Sequence, residues 1–215
     1  MTTASPSGIS ARQLRCIRDD RVLFESLYLQ AAAGEILLIE GANGSGKTSL
    51  LRILAGLSLP DAGEVYWQGS AIMNSQLEYA ENMAFLGHQT GIKEDLTPQE
   101  NLAFLLGLHG TSLDTSSHRA KSEALLGTLG LYGFEDVLCR NLSAGQKRRV
   151  ALARLLASGK QLWILDEPFT AIDKTGVAFV EQSLCDHVQG GGIVLLTTHH
   201  DIDLPHCEPT RIRLS

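Results

Sequence analysis

The segment Gly41-Ala42-Asn43-Gly44-Ser45-Gly46-Lys47-Thr48 constrains this chain more than any other, because it fills the pattern GxxxxGK[ST] between two recognisable elements. Ahead of it, Gly34 turns the chain into residues 35–40, a short apolar run that reads as a buried strand. Behind it, residues 48–56 carry apolar side chains at helical spacing, ended by Gly56 and Pro60. A strand that passes through a glycine-rich turn into a helix aims backbone N–H groups at a polyphosphate, and the helix N-terminus adds partial positive charge. Lys47 is placed to bridge β- and γ-phosphates and the Thr48 hydroxyl to ligate Mg2+, with Ser49 completing the run of nucleotide contacts. A chance glycine turn is the plain alternative, and the flanking strand and helix weigh against it.

The rest of the chain alternates strand and helix. Strands are expected at 9–17, 22–30, 83–88, 162–165 and 193–198, with an edge hairpin at 63–69. Thr97-Pro98-Gln99-Glu100 reads as a capping box, with Thr as N-cap, Pro at N1 and Glu at N3. Helices are expected after it, at 118–129, at 141–158 and at 175–188. Such alternation implies a largely parallel sheet covered on both faces. Residues 93–158 read as an all-helical sub-lobe inserted in one domain, 11–215. Residues 1–10 are a Ser/Thr/Pro/Gly stretch, expected to be flexible, with neither a basic nor an apolar region of the kind a signal peptide needs.

Composition narrows the function classes. A net charge of −6 argues against a nucleic-acid partner, which calls for a basic footprint. No apolar run approaches the ~20 residues that cross a bilayer, so membrane association has to go through a partner or the surface. Cys16, Cys139, Cys185 and Cys207 are scattered without CxxC or paired-His spacing, so buried free thiols are expected rather than disulfides or a zinc site.

Two further motifs carry chemistry. Leu162-Trp163-Ile164-Leu165-Asp166-Glu167-Pro168 brings two carboxylates to the end of an apolar strand, where α/β folds bind ligands. Asp166 suits a Mg2+ partner, and Glu167 can orient or deprotonate an attacking water. Taken alone, the two acids could simply end a strand on a solvated face; the phosphate loop favours catalysis. Asn141-Leu142-Ser143-Ala144-Gly145-Gln146 starts a helix, with Ser143 placed to cap it.

The order phosphate loop, helical insertion, Leu-Ser-Ala-Gly-Gln, acidic strand resembles the ABC ATPases, whose signature is LSGGQ. Ala144 stands in place of the first glycine, while Gly145 is kept. The resemblance implies an α/β P-loop NTPase fold with a mixed, mainly parallel sheet, an antiparallel β subdomain and a helical sub-lobe. It also implies ATP and Mg2+ as cofactors and a head-to-tail sandwich of two copies, in which Ser143, Ala144, Gly145 and Gln146 face the nucleotide held by the other copy. By the same resemblance, Gln89 matches the glutamine that touches Mg2+ and relays to a membrane subunit. Asp173 matches the D-loop, and His199 the switch histidine at the γ-phosphate. His200 is its neighbour, and the Thr directly before His199 favours the latter. The family usually stacks adenine on an aromatic residue; Arg18 holds that place here, either stacking through its guanidinium or standing as a solvated strand residue.

Gly87-His88-Gln89, Leu96-Thr97 with Glu100-Asn101-Leu102, residues 166–173 and Gly191–His199 together with Arg18 resemble one subfamily, the heme-exporter ATPases of cytochrome c biogenesis. That resemblance implies an ATPase held peripherally at the cytoplasmic face of the inner membrane by integral membrane subunits. Its work would be to release a heme-loaded periplasmic chaperone. No CxxCH is present, and His206-Cys207 reads as a surface pair rather than a heme ligand. The ATPase of another exporter, for lipoproteins or small solutes, is the competing reading. The DNA-acting and ribosome-acting ABC ATPases need a long coiled-coil insertion or tandem cassettes, which this chain lacks.

Overall fold

The computed structural model describes residues 8–108, 115–204 and 206–214. Of the expected flexible segment 1–10, residues 1–7 lie outside the described residues, whereas Gly8 already opens the first strand. Strands β1 (Gly8–Arg18) and β2 (Arg21–Ala32) pair antiparallel through the two-residue turn Asp19-Asp20. Both aspartates have positive φ, 49° and 59°, the backbone a tight hairpin requires. Strand β3 (Ile36–Gly41) leads into helix α1 (Lys47–Leu54), and β4 (Ala62–Trp67) with β5 (Ser70–Ala71) forms the second hairpin. Helix α2 (Gln76–Asn82) and strand β6 (Met83–Leu86) follow, then helices α3 (Pro98–Leu108), α4 (Thr115–Thr128) and α5 (Ala144–Leu156). Strand β7 (Leu162–Asp166), helix α6 (Lys174–Gln189), strand β8 (Ile193–Thr197) and strand β9 (Thr210–Leu214) complete the order.

The strands form two sheets, in line with the expected mainly parallel sheet and antiparallel β subdomain. One is antiparallel, in the order β2-β1-β4-β5; the other is parallel throughout, in the order β6-β7-β8-β3-β9. The parallel sheet puts β3, β8 and β7 side by side, so the loops leaving their C-terminal ends converge. β7 and β8 are buried at every position, which is why they read as continuous apolar runs without alternation. Helix α1 packs on β1, β3, β7 and β8 and buries Leu50, Leu51, Ile53 and Leu54 among them. At roughly 1.5–3 kcal/mol for each fully buried aliphatic side chain, this one short helix anchors the phosphate loop through its own core face.

The chain divides into two compact units. The first contains the chain up to Gly87, Lys160–Glu167 and the chain from Leu184; it holds both sheets, α1 and α2. The second contains His88–Gly159 and Pro168–Ser183, and so takes in the start of α6 in addition to α3, α4 and α5. Within it, Thr97 and Glu100 exchange bonds: the Glu100 N–H donates to Thr97 Oγ1 at 3.1 Å, and the Thr97 N–H donates to Glu100 Oε2 at 2.8 Å. Asn101, 1% exposed, staples the segment before α3, accepting from the Lys93 N–H at 2.9 Å and donating to the Lys93 and Thr97 carbonyls, each at 3.0 Å.

Three features depart from the sequence reading. The strand expected at 83–88 ends at Leu86, and both α2 and β9 were missing from that reading. The cysteines are not all free: Cys185, on α6, and Cys207 form a disulfide with Cα atoms 5.9 Å apart, while Cys16 and Cys139 remain buried thiols. Nothing in the local spacing announces a bond between residues 22 apart; it exists because the C-terminal end of α6 and the approach to β9 come together. No helix among the described residues is long and apolar enough to cross a membrane.

Candidate nucleotide site

The loop after β3 is built to leave donors unspent. Gly46 is the N-cap of α1 with φ 98°, a left-handed backbone, and makes no side-chain cap bond, so the first N–H groups of the helix point outward unclaimed. A Cβ at Gly46 would stand 3.0 Å from Leu23 Cβ, so both backbone and space reserve the position for glycine. Lys47 folds back over the loop, its Nζ donating to the carbonyls of Gly41 at 2.7 Å and Ala42 at 3.2 Å. The loop closes on itself through Ser45 N–H to the Ala42 carbonyl at 3.1 Å, and the buried Ser45 Oγ has no partner among the described residues.

Across the sheet, the Thr48 hydroxyl donates to Asp166 Oδ2 at 2.8 Å. Asp166 is 6% exposed at the end of β7. A hydroxyl and a carboxylate are hard oxygen donors, and a Mg2+ ion that draws its other ligands from water and substrate phosphates needs no more protein ligands than these. No group of three or more His, Cys, Asp or Glu able to hold a metal by itself occurs among the described residues. Glu167 takes a left-handed backbone, φ 53°, which swings its side chain away from Asp166 and toward His199. Glu167 Oε2 accepts the His199 N–H at 3.1 Å, and His199 Nε2 lies 3.6 Å from Oε1. The neighbouring His200 donates its N–H to Thr198 Oγ1 at 2.9 Å.

These groups line one cleft of about 390 Å3: Asn43, Gly44, Gly46, Lys47, Thr48, Ser49, Asp166, Glu167 and His199, with Arg18 and Leu23. Arg18 therefore sits in the cleft wall, but its Nη1 donates to the Ile17 carbonyl at 2.7 Å and stands 3.6 Å from Asp61 Oδ2. The remaining residues singled out from sequence belong to the second unit. Gln89 is exposed, just beyond the end of β6. Ser143 caps α5, its Oγ accepting from Gln146 N–H at 3.2 Å while Gln146 Oε1 accepts from Ser143 N–H at 2.9 Å, a full capping box. Gly145 lies against Ala171: an added Cβ would stand 3.2 Å from the Ala171 Cβ. Asp173 caps α6, accepting the Gly176 N–H at 2.8 Å. Thr197 and Leu23, which the sequence reading did not single out, also belong to this neighbourhood.

The architecture agrees with what the comparisons find. The ABC transporter family matches residues 24–170. A solved dimeric bacterial ABC transporter cassette superposes with a TM-score of 0.81 at 25% identity, covering 96% of this chain and 94% of that one. This chain belongs to the ABC transporter family, and it is the subunit that binds and hydrolyses ATP. Within the family it is similar to proteins named cytochrome c biogenesis ATP-binding export protein CcmA. The one from Vibrio cholerae is 52% identical over 206 residues, covering 96% of this chain and 98% of the relative. The one from Photobacterium profundum is 51% identical over 201 residues, covering 90% and 93%.

Proposed function

We propose that this ATPase drives the export step of c-type cytochrome biogenesis, coupling ATP turnover to heme export and the release of a heme-loaded chaperone. The single observation that carries the reading is half-identity along nearly the whole chain to relatives named for that export. The partners are integral membrane subunits, which hold the chain peripherally at the cytoplasmic face of the inner membrane, and a second copy of the chain. No nucleic acid takes part.

In the first unit, Lys47 leaves the Gly41 and Ala42 carbonyls for the β- and γ-phosphates, and the N–H groups from Gly44 to Ser49 close around them. Thr48 and Asp166 would hold Mg2+, which would supply positive charge to the phosphate oxygens. Glu167 accepts the proton of the attacking water, and His199, tethered to Glu167 through its N–H, contacts the γ-phosphate. Arg18, in the cleft wall, would either stack its guanidinium on the base or stand as a solvated strand residue. Gln89 senses the cation and passes its state to the membrane subunit. Ser143, Ala144, Gly145 and Gln146 present the N-terminus of α5 to the nucleotide of the other copy, and Asp173 is the D-loop residue.

The test uses cells whose only copy carries Lys47→Ala. They should lose holo-cytochromes c while heme still loads onto the periplasmic chaperone and accumulates there. Normal levels of c-type cytochromes would remove the assignment and leave an ATPase for a different exporter.

A further inference from the structure

Thr197 ends β8 directly beside Asp166 in the parallel ladder, paired with it on one side and with Ile39 of β3 on the other. It is wholly buried, 0% exposed, at a position where an aliphatic side chain would satisfy the core. Its hydroxyl instead donates to Asp166 Oδ1 at 2.7 Å, while Thr48 donates to Oδ2 at 2.8 Å. The Asp166 carboxylate is therefore gripped at both oxygens and cannot turn about its χ2 bond without losing a charge-assisted hydrogen bond. Thr197 also seats the second acid: the Glu167 N–H points at its carbonyl, 3.1 Å, and at its hydroxyl, 3.3 Å. That contact matters because Glu167 holds a positive φ of 53°, a strained backbone that a non-glycine residue keeps only where its surroundings enforce it.

We infer that Thr197 is a positioning residue for the ATPase reaction: it sets the plane of the Asp166 carboxylate for the cation and fixes the backbone from which Glu167 reaches the attacking water. With Thr48 engaged on a cation, Thr197 would still donate to Asp166 Oδ1 and hold its carboxylate in place. It is wholly buried and is not among the residues that line the cleft. The inference rests on Mg2+ being the cation that Thr48 and Asp166 hold.

The experiment measures ATP binding to the full chain by calorimetry while MgCl2 is titrated, and again in EDTA. It compares wild type, Thr197→Val, which keeps the shape and deletes the hydroxyl, and Thr197→Ser, which keeps the hydroxyl. Loss of a group that orients a metal ligand typically costs ~10–100-fold in metal affinity or activity. The Mg2+ concentration giving half of the Mg2+-dependent gain in ATP affinity should rise by that factor in Thr197→Val. ATP binding in EDTA should stay unchanged, and Thr197→Ser should restore the wild-type response. Equal Mg2+ response in wild type and Thr197→Val would overturn the inference. So would a Thr197→Val chain that loses binding equally with and without Mg2+, which would make the residue merely structural. If wild type itself gains nothing from Mg2+, the cation assignment fails instead, a separate outcome. Should Thr197→Val not fold, Thr197→Cys, of similar volume and with a weaker donor, is judged by the same two criteria.

Discussion

Glu167 accepts the backbone N–H of His199 at 3.1 Å, and the imidazole of the same histidine stands 3.6 Å from its other carboxylate oxygen. The contact joins the ends of β7 and β8, so the residue that would deprotonate water and the residue that would meet the γ-phosphate are set by one hydrogen bond. Glu167→Gln keeps an oxygen to accept that N–H but loses the negative charge and the ability to take a proton. Hydrolysis should fall by ~10²–10⁴ while ATP still binds. Single-turnover hydrolysis at the wild-type rate would move the role away from Glu167.

The Asn101 side chain is a structural staple rather than a chemical group. It satisfies the Lys93 N–H and the carbonyls of Lys93 and Thr97 from inside the second unit. In Asn101→Ala the Lys93 N–H loses its acceptor, while the Lys93 and Thr97 carbonyls keep the Leu96 and Asn101 N–H groups, at a cost of about 1–3 kcal/mol. At the scale of a chain this size, roughly 2–4 °C per kcal/mol, thermal unfolding should move down by ~2–12 °C. An unchanged melting curve would show that the segment before α3 finds other partners.

The Cys185–Cys207 bond closes a loop that contains β8 and His199. Of the four cysteines, two should react with an alkylating reagent in denatured, unreduced protein, and all four after reduction. Replacing Cys185 and Cys207 together by Ser removes the closure of a loop of 22 residues, worth about 3 kcal/mol in the chain-entropy account. Four reactive thiols before reduction would mean that the bond does not form.

Burial beside β7 holds the His187 imidazole below its ordinary value, with the Gln161 and Ile193 backbone acting in the opposite direction. The ring stacks on Trp163 at 3.8 Å between centroids and its Nε2 donates to the Gln161 carbonyl at 3.0 Å. Because the folded pKa is the lower one, the unfolded chain takes up the proton first. Stability from this group is complete above about pH 6.5 and declines as pH falls through the window below it. His187→Phe keeps the stack and cannot titrate, so its melting temperature should fall less than that of wild type between pH 7 and pH 5. Parallel curves would assign the acid sensitivity elsewhere.

The parts of this site that could be read in the sequence are those in which cause and effect lie within a few residues. The phosphate loop, the Thr97–Glu100 capping box and the Ser143 cap of α5 are each local arrangements, and each appears where the chain announced it. Thr197 was hidden because its meaning depends on the register of β7 against β8: one residue of slip would aim its hydroxyl away from Asp166. The disulfide and the tie between Arg18 and Asp61 were hidden for the same reason, since each joins segments that only the fold brings together. Strand β9 escaped because Thr-Arg-Ile-Arg-Leu, a short run with arginines at alternate places, has the composition of a surface segment.

That last strand has a bearing on how the protein can be handled. β9 lies along β3, from Leu37–Thr210 to Gly41–Leu214, and so covers the backbone of the strand that delivers the phosphate loop. Its own outer side is a sheet edge carrying the exposed Arg211 and Arg213, charges that discourage another chain from adding on there. Trimming the chain before Thr210 would strip away this gatekeeper and lay open β3, whose Ile36–Ile39 run is apolar throughout. Such a truncate should self-associate by edge-to-edge pairing before any loss of nucleotide chemistry could be measured.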